Sequence, residues 1–161
     1  MKRSRSIFIA AVTSLLLITG IESALAHVSV IPGSAPANAE LSLKIHIPHG
    51  CGESATTRVR VQIPETVEFV SAPEKQGWEL VVKNGSKASE AAWTGGPLPG
   101  HEQADFEISV KLPNLPGEKL YFKTIQECEE GMARWIEVPK DGEDGEAYKS
   151  PAPYITLTVP E

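Results

Sequence analysis

Strict alternation of apolar and polar residues is the feature of this sequence that most restricts its fold. Between residues 41 and 48, the apolar Leu41, Leu43, Ile45 and Ile47 alternate with three polar residues and a proline. Because successive side chains of a β-strand point to opposite faces, this pattern predicts a strand with one buried face. Residues 59–63, 106–112 and 155–159 repeat the pattern. Weaker strand candidates lie at 28–31, 67–70, 78–83, 91–93, 120–123 and 135–138.

Proline and glycine separate these segments, most densely at residues 95–100, where we predict a turn. No segment keeps a helical period over three turns. Short strands at intervals of about ten residues favour an all-β fold. We therefore predict a two-sheet antiparallel β-sandwich of immunoglobulin, fibronectin type III or cupredoxin-like type, formed by residues 27–161 as one domain.

The first 26 residues have the features of a secretory signal peptide. Basic residues at positions 2, 3 and 5 precede an apolar run over residues 7–18, and Ala24 and Ala26 place small side chains where signal peptidase cleaves. We predict cleavage after Ala26 and export to the periplasm or out of the cell. The alternative is an uncleaved N-terminal anchor.

Removing residues 1–26 makes the chain more acidic. Three of its 15 basic residues and one of its 21 acidic residues lie in the leader, which leaves 12 against 20 and a net charge of −8. A negative surface repels phosphate backbones and anionic headgroups. We therefore expect neither a nucleic-acid partner nor an anionic membrane partner.

The two cysteines, Cys51 and Cys128, both lie in the exported part. An even number of cysteines in an oxidising compartment favours a disulfide, and closing so long a loop stabilises a fold by about 4–5 kcal/mol in the chain-entropy model. The alternative is a metal site of two thiolates. A disulfide would bring the segments around Cys51 and Cys128 together.

Cleavage after Ala26 would make His27 the first residue of the mature chain. Its α-amine and the Nδ1 of its imidazole could then close a six-membered chelate ring around one metal ion. Nitrogen donors in a plane suit Cu(II), which also heads the Irving–Williams order. Histidine at this position is also compatible with coincidence.

Two further donor candidates lie close to Cys51. His49 is two residues from the proposed disulfide and is either a second imidazole donor or a turn residue, while Glu53 in the same loop could supply a carboxylate oxygen. His46 lies on the polar face of a strand and His101 follows a Pro-Gly turn, so neither is expected to bind metal. By its sequence context Trp135 is a core residue.

Several motifs of the sequence resemble the YcnI-like family of exported bacterial copper-binding domains. They are His27-Val28-Ser29-Val30 with Pro32, Ile47-Pro48-His49-Gly50-Cys51, Thr56-Thr57-Arg58-Val59, Val61-Gln62-Ile63-Pro64-Glu65, Gly77-Trp78, residues 93–99, Gln126-Glu127-Cys128, Trp135-Ile136-Glu137 and Pro151-Ala152-Pro153. They cover nearly all of residues 27–161 in order.

The resemblance implies a β-sandwich with one Cu(II) per chain, held by a single-histidine brace. In such a site His27 supplies amine and imidazole, and Trp135 matches the tryptophan beside the metal. Some relatives have a glutamate where this sequence has His49-Gly50-Cys51. The third donor is therefore either Glu53 or His49, and we favour His49 because a second imidazole strengthens a Cu(II) plane.

Three classes of function follow. The first is a copper-binding protein of copper homeostasis or trafficking, which is not an enzyme and exchanges copper with other periplasmic copper chaperones or copper transporters. The second is a copper-dependent oxidase or monooxygenase, since polysaccharide monooxygenases also begin with a histidine. The third is an exported interaction module without metal. We favour the first, and because the C-terminal anchor of some family members has no counterpart here, we expect a free periplasmic or secreted protein.

Overall fold

The computed structural model describes residues 27–84, 89–140, 142–143 and 145–160, so the predicted leader lies outside the described residues. This part of the chain forms twelve strands and one short 3-10 helix at Gly145–Ala147. The strands are β1 Ser29–Ile31, β2 Ser34–Pro36, β3 Glu40–Ile47, β4 Thr56–Gln62, β5 Glu68–Ser71, β6 Trp78–Lys83, β7 Glu90–Leu98, β8 Ala104–Lys111, β9 Lys119–Tyr121, β10 Thr124–Cys128, β11 Met132–Trp135 and β12 Tyr154–Thr158.

The strands form three sheets. Four strands follow the order β1-β3-β8-β5, five follow β11-β10-β4-β7-β6, and three follow β2-β12-β9. All pairs within the two larger sheets are antiparallel, whereas β2 and β12 are parallel. The predicted all-β antiparallel sandwich is confirmed, and the small third sheet is an addition that the sequence patterns did not indicate.

The two larger sheets pack face to face through an aromatic cluster. Phe106 of the four-stranded sheet lies 5.3 Å from Trp93 and 4.9 Å from Trp78, measured between ring centroids, and both tryptophans belong to the five-stranded sheet. Trp93 and Phe106 are fully buried. Leu120, Ile155 and other residues of the third sheet join the same core. One continuous core therefore connects the three sheets.

The β6–β7 pair differs from the predicted turn at residues 95–100. Strand β7 continues to Leu98, and Gly95 and Gly96 lie inside it with φ of +132° and +82°. A Cβ on Gly96 would lie 2.6 Å from Cζ2 of Trp78. These glycines are therefore part of a strand, where they allow Trp78 to approach the backbone and reach the core.

The predicted disulfide is confirmed. Cys51 and Cys128 are bonded, with their Cα atoms 6.1 Å apart and a sequence separation of 77. The bond connects the loop after β3 to the end of β10, so it joins the two larger sheets.

In the described part of the chain no helix is long and apolar enough to cross a membrane.

Candidate metal centre

His27 lies beside the end of β3. Strand β1 pairs antiparallel with β3, with Ser29 opposite His46. Continuing this register backwards by two residues brings His27 alongside Pro48, which is followed by His49. The strand pairing therefore brings the start of the predicted mature chain next to the loop that carries His49 and Cys51.

Trp135 forms one wall beside His27. The two ring centroids are 5.7 Å apart and the planes meet at 60°, an edge-on contact. Trp135 ends β11 and is 7% exposed, whereas His27 is half-buried. The sequence context predicted Trp135 as a core residue and the family resemblance placed it beside the metal. The core position is confirmed, since Trp135 is buried, and its ring lies against His27.

A buried amide that we did not single out from the sequence fixes this arrangement. Gln126 is 1% exposed and accepts a hydrogen bond from Nε1 of Trp135 at 3.3 Å. Its Nε2 donates to the backbone carbonyl of His49 and to the hydroxyl of Thr56, both at 2.7 Å. Gln126 thus ties the tryptophan that contacts His27 to the main chain at His49.

His49 itself is half-buried, and its Nδ1 lies 2.7 Å from the carbonyl oxygen of Gly50. Because a carbonyl only accepts hydrogen bonds, Nδ1 carries the proton in the neutral ring, and the lone pair is on Nε2. Glu53 lies in the exposed turn that the Cys51–Ser54 bridge closes. The structure thus links His49 to the surroundings of His27 through its main chain, and leaves the Glu53 side chain in solvent.

The remaining predicted non-ligands have ordinary structural environments. His46 faces Asp105 across the β3–β8 pair, with its Nδ1 2.7 Å from Oδ1 of the carboxylate. Burial would raise the pKa of Asp105, but the hydrogen bond from His46 and the charges of His46 and Lys44 hold it below its usual range. His101 is exposed in a turn.

A cleft of about 450 Å³ opens at His27. Its other walls include Lys119, Glu143, Tyr154 and residues 151–153. Glu143 accepts hydrogen bonds from the Tyr148 hydroxyl and from the Lys140 backbone NH, and the bond from Tyr148 is the main reason why its pKa is lowered. Glu143 is therefore a carboxylate on the same cleft as His27. Its position in a polar loop gave no sequence signal.

Few side chains that could bind a metal lie close to one another. Within the residues that the structure describes, no three His, Cys, Asp or Glu side chains gather closely enough to hold a metal ion. The arrangement therefore consists of one half-buried histidine, a tryptophan wall, a neighbouring loop with His49, and an open cleft.

The chain matches the model of a domain family of unknown function, DUF1775, over residues 27–157. The chain belongs to this family, which is the YcnI-like domain family. The match covers all described strands except the last residue of β12. No curated protein matches the chain.

Three solved structures are similar in fold. An uncharacterized protein from Nocardia farcinica with an immunoglobulin-like fold is 24% identical, with a TM-score of 0.69 over 83% of this chain and 99% of that one. The sixth cohesin of scaffoldin B from Acetivibrio cellulolyticus, solved with a dockerin, is 8% identical (TM-score 0.46; 81% and 97% covered). A type III cohesin of ScaE from Ruminococcus flavefaciens is 12% identical (TM-score 0.48; 82% and 87% covered). The first of these shows that the fold is immunoglobulin-like.

Proposed function

We propose that the processed protein is an exported copper-binding protein of copper homeostasis, which holds one Cu(II) through the α-amine and imidazole of His27. The observation that carries the proposal is the position of His27: it follows the predicted cleavage site and lies against the buried Trp135. The family match begins at the same residue. The disulfide agrees with an oxidising compartment, the periplasm or the outside of the cell.

The donor chemistry fits a site built mainly from one residue. A histidine brace needs only His27 for two nitrogen donors, so it does not require three metal-binding side chains in one place. His49 would present the unprotonated Nε2, as a metal ligand must. A carboxylate oxygen is available in principle from Glu53 in the neighbouring turn or from Glu143 on the cleft.

The surroundings favour holding copper over turning over a substrate. Trp135 lies against the ring of His27, and Gln126 fixes the indole by accepting its hydrogen bond. A rigid indole beside the imidazole would occupy space that a substrate or dioxygen would need. We therefore propose a binding protein, not an enzyme, that exchanges copper with other periplasmic copper chaperones or with copper transporters.

The N-terminal chelate is tested on the protein beginning at His27. We expect one Cu(II) per chain and a type-2 electron paramagnetic resonance signal with nitrogen hyperfine structure. A His27→Ala variant should lose most of the affinity in calorimetric titration. A form with one extra glutamine before His27 should lose as much affinity, because the glutamine cyclises to pyroglutamate and leaves no free amine. His101→Ala is the matched control and should bind as the unaltered protein does.

The remaining donor is identified by three separate substitutions, His49→Ala, Glu53→Ala and Glu143→Ala. The substitution that removes the donor should change both the affinity and the hyperfine pattern, and loss of a nitrogen is distinguishable from loss of an oxygen. If the protein with a blocked amine bound copper as tightly as the free form, the brace would be wrong.

Oxidative chemistry is tested with ascorbate and dioxygen. A protein that stores or carries copper should suppress the ascorbate oxidation that free Cu(II) catalyses. Oxygen consumption faster than that of the same concentration of free copper would favour the enzyme instead.

A further inference from the structure

The outer face of the five-stranded sheet carries a groove of about 420 Å³, which we call the basic groove. It is lined by side chains from all five strands of the sheet: Arg60, Lys83, Glu90, Ile125 and Arg134 come from β4, β6, β7, β10 and β11 respectively. The groove therefore runs across the strands from one edge of the sheet to the other.

The strand register arranges these side chains in two rows. The first row consists of Lys83, Glu90, Gln62 and Lys123. Lys83 lies opposite Glu90 and Glu90 lies opposite Gln62 in the strand register. The backbone NH of Gln62 donates to the carbonyl of Lys123 at 2.9 Å. The second row consists of Val81, Ala92, Arg60, Ile125 and Arg134. The two rows are two residues apart along each strand, so both face outward.

The charge of the groove is opposite to that of the domain. Four cations, Arg60, Lys83, Lys123 and Arg134, line it together with one carboxylate, Glu90. Residues 27–161 contain 12 basic and 20 acidic residues, so one third of the basic residues converge on a single face of an acidic protein. Such a field attracts negatively charged ligands.

Arg60 is fixed by two carboxylates, Lys83 is paired but its side chain is 56% exposed, and the other two cations are available. Glu90 binds Arg60 and Lys83 at 2.8 Å each, and Arg60 also lies 3.5 Å from Glu127. Burial would raise the pKa of Glu90, but Arg60 and Lys83 hold that pKa below its usual range. The Glu90 carboxylate is therefore charged at neutral pH, and its ion pairs with the two cations persist. Among the described residues, Lys123 and Arg134 have no carboxylate within ion-pair distance.

The spacing of the cations selects the kind of anion. Lys83 and Arg134 lie on opposite edge strands, and five strands at about 4.8 Å spacing are about 19 Å across. A phosphate needs cations that converge on one point. An extended peptide of about six residues covers about 20 Å and points alternate side chains to one face. Ile125 and Ile136 offer apolar surface to its aliphatic groups.

We propose that the basic groove binds an extended acidic segment of a partner protein, about six residues long, with carboxylates at alternate positions. Lys123 and Arg134 would pair with the carboxylates near one end. The exposed ammonium of Lys83, which already contacts Glu90, would pair with those near the other end. Arg60 would line the centre of the groove, where Glu90 and Glu127 offset its charge. This site is separate from His27 and does not depend on copper.

The test uses the metal-free protein beginning at His27 and a fluorescein-labelled Glu-Thr-Glu-Thr-Glu-Thr peptide. We expect fluorescence anisotropy to show binding that weakens with added salt, and no binding of the matching Gln-Thr-Gln-Thr-Gln-Thr peptide. In two-dimensional NMR the acidic peptide should shift the amide signals of Arg60, Ile125 and Arg134. An acidic peptide that shifts none of these signals would overturn the proposal.

Charge-neutral variants locate the site. Lys123→Gln and Arg134→Gln should each weaken peptide binding by about two- to fivefold, the factor of an exposed ion pair. Lys111→Gln removes the same charge from the exposed surface of β8 in the other sheet, and should leave binding unchanged. Equal losses in all three variants would mean unspecific attraction and overturn the site. So would displacement by inorganic phosphate as effective as displacement by unlabelled peptide.

Discussion

At the scale of single residues, Gln126 connects more of the candidate centre than any predicted ligand. Its side chain hydrogen-bonds the indole of Trp135, the main chain of His49 and the hydroxyl of Thr56. A buried amide is costly to leave unpaired but contributes net stability when its groups are paired. The amide therefore fixes the surroundings of His27 without having to touch a ligand.

We expect Gln126→Met to lower the free energy of unfolding by about 2–4 kcal/mol, because at nearly constant volume it removes the amide that pairs with the buried Trp135 and Thr56 side chains and with the half-buried His49 carbonyl. Urea denaturation followed by tryptophan fluorescence measures this loss. Gln62→Met is the control: Gln62 is exposed on β4, and its replacement should change stability by less than about 0.5 kcal/mol. Equal stabilities of the two variants would show that the hydrogen bonds of Gln126 contribute little.

At the scale of elements, the β6–β7 pair depends on a glycine that looks like a turn residue in the sequence. Gly96 has a φ of +82°, and the Trp78 ring occupies the space where its side chain would be. Trp78 in turn packs edge-on against Phe106. A side chain at position 96 would therefore disturb the contact between the two larger sheets.

We expect Gly96→Ala to lower the free energy of unfolding by about 2–4 kcal/mol, from the left-handed backbone and from the clash with Trp78. Gly117→Ala separates the two causes. Gly117 has a φ of +89° but no atom within 4 Å of its would-be Cβ, so only the backbone cost of about 1–2 kcal/mol applies there. Thermal and urea unfolding of both variants check this. A loss at Gly117 as large as at Gly96 would exclude the clash as the cause.

Strands with clean alternation were predictable, and those without it were not. Strands β3, β8 and β12 lie within two residues of the predicted segments, β4 begins three residues before its predicted start, and β6 lies at the predicted residues. Strands β2 and β10 were missed. Ser34-Ala35-Pro36 is too short for a pattern, and β10 turns Thr124 and Gln126 inward, which hides its buried face from any hydrophobic period. Strand β11 begins at Met132, three residues before the predicted start.

The candidate centre was predictable only in its parts. The leader predicted His27 as an end residue, and the cysteine count predicted the bond that is found. No local pattern predicts that β1, β3, β10 and β11 meet. Their meeting places Trp135 beside His27, and Gln126 then connects Trp135 to the main chain of His49. The order of the strands in the sheets decides which distant residues become neighbours, and no single residue determines that order.

At the scale of the whole molecule, the Cys51–Cys128 bond joins the loop after β3 to the end of β10, and so connects the two larger sheets at the end where His27 lies. The bond restricts the unfolded chain far more than the folded one, because it closes a loop of more than half of residues 27–161. The core is continuous across the sheets without it. Loss of the bond should thus lower stability and preserve the fold.

We expect the double variant Cys51→Ala/Cys128→Ala to unfold in one cooperative transition with a free energy about 4–5 kcal/mol lower, the chain-entropy estimate for a loop of this length. Guanidinium denaturation compared with the oxidised and the reduced native protein measures the difference. The reduced protein should match the double variant, because in both only the unfolded chain gains freedom. If the double variant lost the transition altogether, the bond would hold the sheets together directly, and the continuous core would not suffice for the fold.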